Sequence, residues 1–137
     1  AQAMTGAAVS WEWREEEGSV SALTLHSRVS DLTIFGRVTG DLEFEESALI
    51  EETLFQSGGP VLLCPPDAMR SEPRRIVLAW NGTREAARAL SAGLPFLRRA
   101  ETVAIVAFGD PPSGSPGPEA AARLLARHGV SVETPAR

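Results

Sequence analysis

The sequence predicts an α/β protein built on a parallel sheet with helices on both faces. Residues 76–79, Ile-Val-Leu-Ala, form an unbroken apolar run of the kind that suits a parallel strand covered on both sides. Ala86, Ala87, Leu90, Leu94 and Leu97 then recur at helical spacing, with Arg84, Glu85, Arg88 and Arg98 interleaved on the side that meets water. A second apolar run, Val103 to Phe108, follows. Strand, helix and strand with short joints make a βαβ unit, whose crossover is right-handed in nearly all known cases. Between the first strand and the helix, Asn81-Gly82 tolerates positive φ. Thr83 is placed to cap the helix with its hydroxyl.

A chain of 137 residues fits one domain, and a formal charge of -5 with a pI near 5.0 gives no electrostatic footprint for nucleic acid or anionic membrane. No apolar run approaches the roughly 20 residues that span a bilayer. The first residues show neither a basic n-region nor a signal-peptide h-region. Neither a nucleic-acid nor a membrane partner is therefore expected, and a cytoplasmic setting is. Cys64 is the single cysteine, so no internal disulfide framework exists.

From the N-terminus, residues 1–6 read as the end of a helix with Gly6 as its C-cap. Val9, Trp11 and Trp13 alternate with Ser10, Glu12 and Arg14, the period of a strand with one aromatic face. Glu15-Glu16-Glu17-Gly18 reads as a solvated turn rather than a metal site. Ser19 caps a helix whose buried stripe is Val20, Ala22, Leu23, His26 and Val29, so His26 is read as packing, with no Cys, His or Asp at ligand spacing. Leu32 to Phe35 is the next strand.

Gly36-Arg37-Val38-Thr39-Gly40-Asp41 joins that strand to a helix carrying Leu42, Leu49, Ile50, Thr53, Leu54 and Phe55. Such a loop either cradles phosphate, glycine letting the backbone approach and the helix supplying amides, or is a surface turn. Glu43, Glu45 and Glu46 suit the helix dipole but repel a polyphosphate. Ser57-Gly58-Gly59-Pro60 reads as a helix-ending turn, and Val61 to Cys64 as a buried strand bounded by prolines. Cys64, without a basic neighbour, is structural. Residues 67–73 have the composition of a surface linker, and 109–118 that of a long mobile loop. A helix over Glu119 to His128 turns Ala121, Leu124 and Leu125 inward. Gly129 ends it, with His128 complementing its dipole, and Val130 to Glu133 starts a last strand.

The stretch Leu78-Ala79-Trp80-Asn81-Gly82-Thr83-Arg84-Glu85-Ala86-Ala87-Arg88-Ala89, followed by Leu94-Pro95-Phe96-Leu97-Arg98-Arg99-Ala100, resembles the opening of a repeat in tandem bacterial universal stress proteins. Ser30 to Gly36, with Leu54 to Leu63, resembles the closing half of the preceding repeat. The resemblance covers nearly the whole chain. It implies the universal-stress-protein (adenine nucleotide alpha hydrolase-like) fold, a five-stranded parallel sheet of order 3-2-1-4-5. Residues 1–66 would be the closing half of one repeat, 67–74 a linker and 75–137 the opening half of the next, an arrangement that a permuted pairing of the halves would reunite. It further implies a non-catalytic role in stress response and ATP or another adenine nucleotide as ligand. The chain is then either a homodimer or paired through its own repeats.

Carried onto this chain, the ligand-binding positions are Asn81, Gly82 and Thr83 in the first loop, Gly36 and Gly40 in the glycine loop, and Ser47. The family's strand-one carboxylate falls on the neutral Asn81. The glycines 36 and 40 are spaced one residue wider than the family pair, and the later Gly-Ser step falls on Ser47-Ala48. Two other readings stand beside this one: a structural module that dimerises or binds a partner without nucleotide, with Val61 to Cys64 as a contact edge, and an ATP-hydrolysing enzyme. The latter lacks a nucleophile with a base, metal spacing and an intact phosphate motif.

Overall fold

The computed structural model describes residues 10–15, 20–36, 43–65, 73–107 and 112–133. It is α/β, with two small parallel sheets and four helices among these residues. The chain divides into two compact units, Ala1–Thr33 with Gly40–Val61, and Ile34–Thr39 with Leu62–Arg137. The expected helix end at 1–6, the phosphate-loop residues 37–42 and most of the 67–74 linker lie outside the described residues, as does Phe108.

In the first unit, helix α1 (Val20–Ser27) packs on helix α2 (Glu43–Gln56). The seam between them is polar. Thr24, Ser27 and Thr53 are the buried residues, whereas Leu25, Val29, Leu54 and Phe55 are exposed. This corrects the expected stripe of α1, since Val29 lies beyond the helix end and His26 is also exposed. The Ser27 hydroxyl lies buried without penalty because it donates to the Leu23 carbonyl at 2.8 Å. Helix α2 ends in the predicted turn, where Ser57 N–H donates to the Thr53 carbonyl at 3.0 Å and Gly58 takes φ 79°. At Gly59 a Cβ would stand 3.3 Å from the Ser27 carbonyl oxygen, so a side chain there would crowd the end of α1. The expected strand Val9 to Arg14 does not form: residues 10–15 have no regular structure, and Val9 lies outside the described residues.

Strands β1 (Thr33–Gly36) and β2 (Val61–Cys64) form a two-stranded sheet. Cys64 is half-buried rather than enclosed, and its neighbour Leu63 is exposed. Strands β3 (Arg75–Trp80), β4 (Thr102–Ala107) and β5 (Val132–Glu133) form a three-stranded sheet in the order β3-β4-β5. Arg75 pairs with Thr102 and Trp80 with Ala107, and Val103 pairs with Val132, all parallel. The described residues thus make two sheets of two and three strands, not one ladder of five.

Helices α3 (Arg84–Leu97) and α4 (Pro118–Arg127) connect these strands and pack on them. Their predicted apolar stripes close the core: Leu90 and Leu97 from α3, Ala121 and Leu125 from α4, with Trp80, Val103, Ile105 and Val130. Each fully buried large aliphatic side chain contributes about 1.5–3 kcal/mol, so this cluster dominates the stability of the unit. Leu124, expected inward, is 37% exposed, because the α4 face centres on Ala121 and Leu125. The run 76–79 is not covered on both sides. Ile76 and Leu78 are half-buried, while Val77 and Ala79 are exposed, so β3 alternates like a strand with one covered face.

Candidate functional site

The C-terminal end of β3 presents the site residues that the sequence places together. Trp80 is the last residue of the strand, 5% exposed, and its indole N–H donates to the Pro116 carbonyl at 2.9 Å. That bond fixes the approach to α4 on the same rim. The stretch before α4 is a tight turn, with Ser115 N–H donating to the Pro112 carbonyl at 2.9 Å and Gly114 at φ 80°. The loop read as mobile is therefore tied down over residues 112–117.

Asn81, Gly82 and Thr83 form one compact turn between β3 and α3. The Asn81 side-chain oxygen accepts twice, from Thr83 N–H at 3.2 Å and from the Thr83 hydroxyl at 2.9 Å. Gly82 takes φ 73°, a conformation that side-chain-bearing residues rarely adopt. The Thr83 hydroxyl in turn accepts from Ala86 N–H at 3.3 Å, as predicted for the N-cap. With both lone pairs of its oxygen engaged, Asn81 offers a ligand its Nδ2 donors and no acceptor. This reverses the chemistry of a carboxylate at the same position.

Charge at this helix start is balanced on the surface. Arg84 Nε donates to Glu85 Oε1 at 2.7 Å, and both side chains are exposed. The Arg84 hydrogen bond holds the Glu85 carboxyl below its ordinary value of 4.5, and the same bond raises Arg84. A bound anion would meet this carboxylate as well as the guanidinium.

Gly36 ends β1, exposed, with nothing near a Cβ built on it. Its glycine identity is thus not demanded by crowding or by positive φ. Gly40 lies outside the described residues, and Ser47 is exposed on α2 in the first unit.

A separate open groove of about 490 Å³ lies between α1 and α2, lined by Thr24, Leu25, Arg28, Glu52 and Gln56. Arg28 donates across it to the Gln56 carbonyl at 3.3 Å. Sequence reading missed this groove because it singled out the apolar positions of both helices, whereas charged and polar side chains supply most of its walls. Among the described residues no group of three or more His, Cys, Asp or Glu is placed to hold a metal ion. None of the helices they form is long and apolar enough to cross a membrane. No family model matches the chain, and no curated protein matches it, so the geometry of the β3 to α3 turn is the ground for a functional reading.

Proposed function

We propose that the chain is a non-catalytic universal stress protein module that binds an adenine nucleotide weakly at the turn between β3 and α3. The observation that supports this most is the turn itself: a strand end, a glycine at positive φ and a capped helix start, the setting in which α/β proteins meet phosphate-bearing ligands. Asn81 contributes Nδ2–H to an acceptor atom of the ligand. The N-terminus of α3 favours negative charge, and Glu85 opposes it, which accounts for low affinity.

Titration calorimetry of the full chain with ATP tests the reading. Removing one neutral hydrogen bond is worth about 0.5–1.5 kcal/mol, so Asn81→Ala weakens ATP binding two- to tenfold by order of magnitude. Unchanged affinity removes the site from this turn, and steady ATP turnover by the wild type moves the reading to an enzyme.

A further inference from the structure

The net charge of -5 is an average over two halves of opposite sign. Residues 1–66 hold 11 of the 18 carboxylates but only three of the 13 basic residues, so residues 67–137 are net positive. Every one of those basic residues is an arginine.

In the second unit the cations collect at one end. Strands β3, β4 and β5 run parallel, and α3 and α4 return between them, so the starts of the strands and the ends of the helices share a rim. Backbone bonds tie that rim together. The Arg74 carbonyl accepts from Glu101 N–H at 2.7 Å and from Thr102 N–H at 3.2 Å, and the Ser131 carbonyl accepts from Val103 N–H at 2.9 Å. The rim carries Arg74 and Arg75 at the start of β3, Arg98 and Arg99 after α3, and Arg127 with His128 at the end of α4, all exposed. Within residues 74–75, 98–102 and 127–131 Glu101 alone is a carboxylate, and Arg74 holds it at 2.9 Å. Helix dipoles favour cations at helix ends, which accounts for Arg98, Arg99 and Arg127 singly. They do not account for Arg74 and Arg75, which open a strand.

We propose that this rim binds the phosphate backbone of single-stranded nucleic acid. A guanidinium fork grips a phosphate through two hydrogen bonds, and cations on three successive segments suit a chain of phosphates better than one compact anion. Phe96 favours a nucleic acid over an acidic polypeptide. It lies in the last turn of α3, just ahead of Arg98 and Arg99, and is 38% exposed, which leaves ring surface for a base to stack on. The expectation of no nucleic-acid partner rests on the average charge, which this rim does not share. The rim is at the opposite end of β3 from the turn at Asn81, so the proposal does not rest on nucleotide binding there.

Fluorescence anisotropy of the full chain with a labelled oligouridine of about 12 nucleotides tests it. At about 50 mM salt the dissociation constant is expected at about 10⁻⁴ M or tighter, and three to five phosphate contacts give a salt slope of about -2 to -3.5. Arg98→Gln together with Arg99→Gln weakens binding about tenfold and flattens the slope by about 1.4. Phe96→Ala weakens it about fivefold at unchanged slope. Glu101→Gln acts in the other direction and tightens binding about two- to fivefold, a gain that a misfolded variant cannot produce. Absence of binding at this salt overturns the proposal. So do arginine variants that keep the wild-type slope, a Phe96→Ala chain that binds as the wild type does, a Glu101→Gln chain that binds no tighter, and a polyglutamate of equal charge that displaces the probe as well as unlabelled oligouridine does.

Discussion

Thr53 sits on α2 with no exposed surface, and its hydroxyl has no hydrogen-bond partner. Burying an unpaired polar group is unfavourable, whereas an apolar group of the same shape leaves nothing unsatisfied. Thr53→Val is expected to raise stability by about 1 kcal/mol, read as a higher denaturant midpoint at unchanged slope; a lower midpoint would mean that the hydroxyl has a partner. Asn81 is the opposite case, with its oxygen accepting two bonds inside its own turn. The sequence made the turn legible, because Asn-Gly-Thr ahead of a helical stripe has few other conformations. It did not reveal which atom of Asn81 remains for a ligand, since that depends on where the Thr83 hydroxyl points.

Each strand and helix of the β3 to β5 unit follows from periodicity and end signals. Thr83 caps α3, and Pro118 stands in the first turn of α4, where its missing N–H is harmless. Gly129 ends α4 at φ 74°, and Val130 N–H returns to the Leu125 carbonyl at 3.1 Å. Leu125 is fully buried between that helix and the sheet. Leu125→Ala should destabilise the fold by about 2–5 kcal/mol, measured by chemical denaturation; a loss below 1 kcal/mol would mean that α4 collapses onto the cavity. The α1 to α2 pair was less legible because three small hydroxyl residues, not leucines, fill its seam. A hydrophobic pattern gives such residues little weight: it puts Val29 in the buried stripe of α1 and counts Leu54 and Phe55 in the pattern of α2, although all three face out.

At the scale of the molecule, the α/β class and the parallel β3–β4 pairing were readable in the sequence, because local apolar runs determine them. The division of the five strands between a two-stranded and a three-stranded sheet was not, since pairing depends on contacts distant in sequence that no local pattern encodes. Surface electrostatics contribute little to holding this assembly together. Glu12 is held below 4.5 first by the Arg14 hydrogen bond, and Glu85 by that of Arg84, both fully in solvent. Their folded-state values are depressed, so what they contribute is complete above pH 4.5 and fades as pH falls through the depressed values. Because the pairs are exposed, salt screens that contribution. Thermal melts at neutral pH should therefore shift only slightly with added salt, and a large fall in melting temperature would mean that these exposed pairs carry much of the stability. The placement of the three tryptophans has a separate, optical consequence. Trp80 is enclosed with its indole N–H bonded to Pro116, while Trp11 and Trp13 stand open in the single copy. Their emission divides into a class that an aqueous quencher reaches and one that it does not, so a single cuvette distinguishes an event at the N-terminal segment from one at the end of β3.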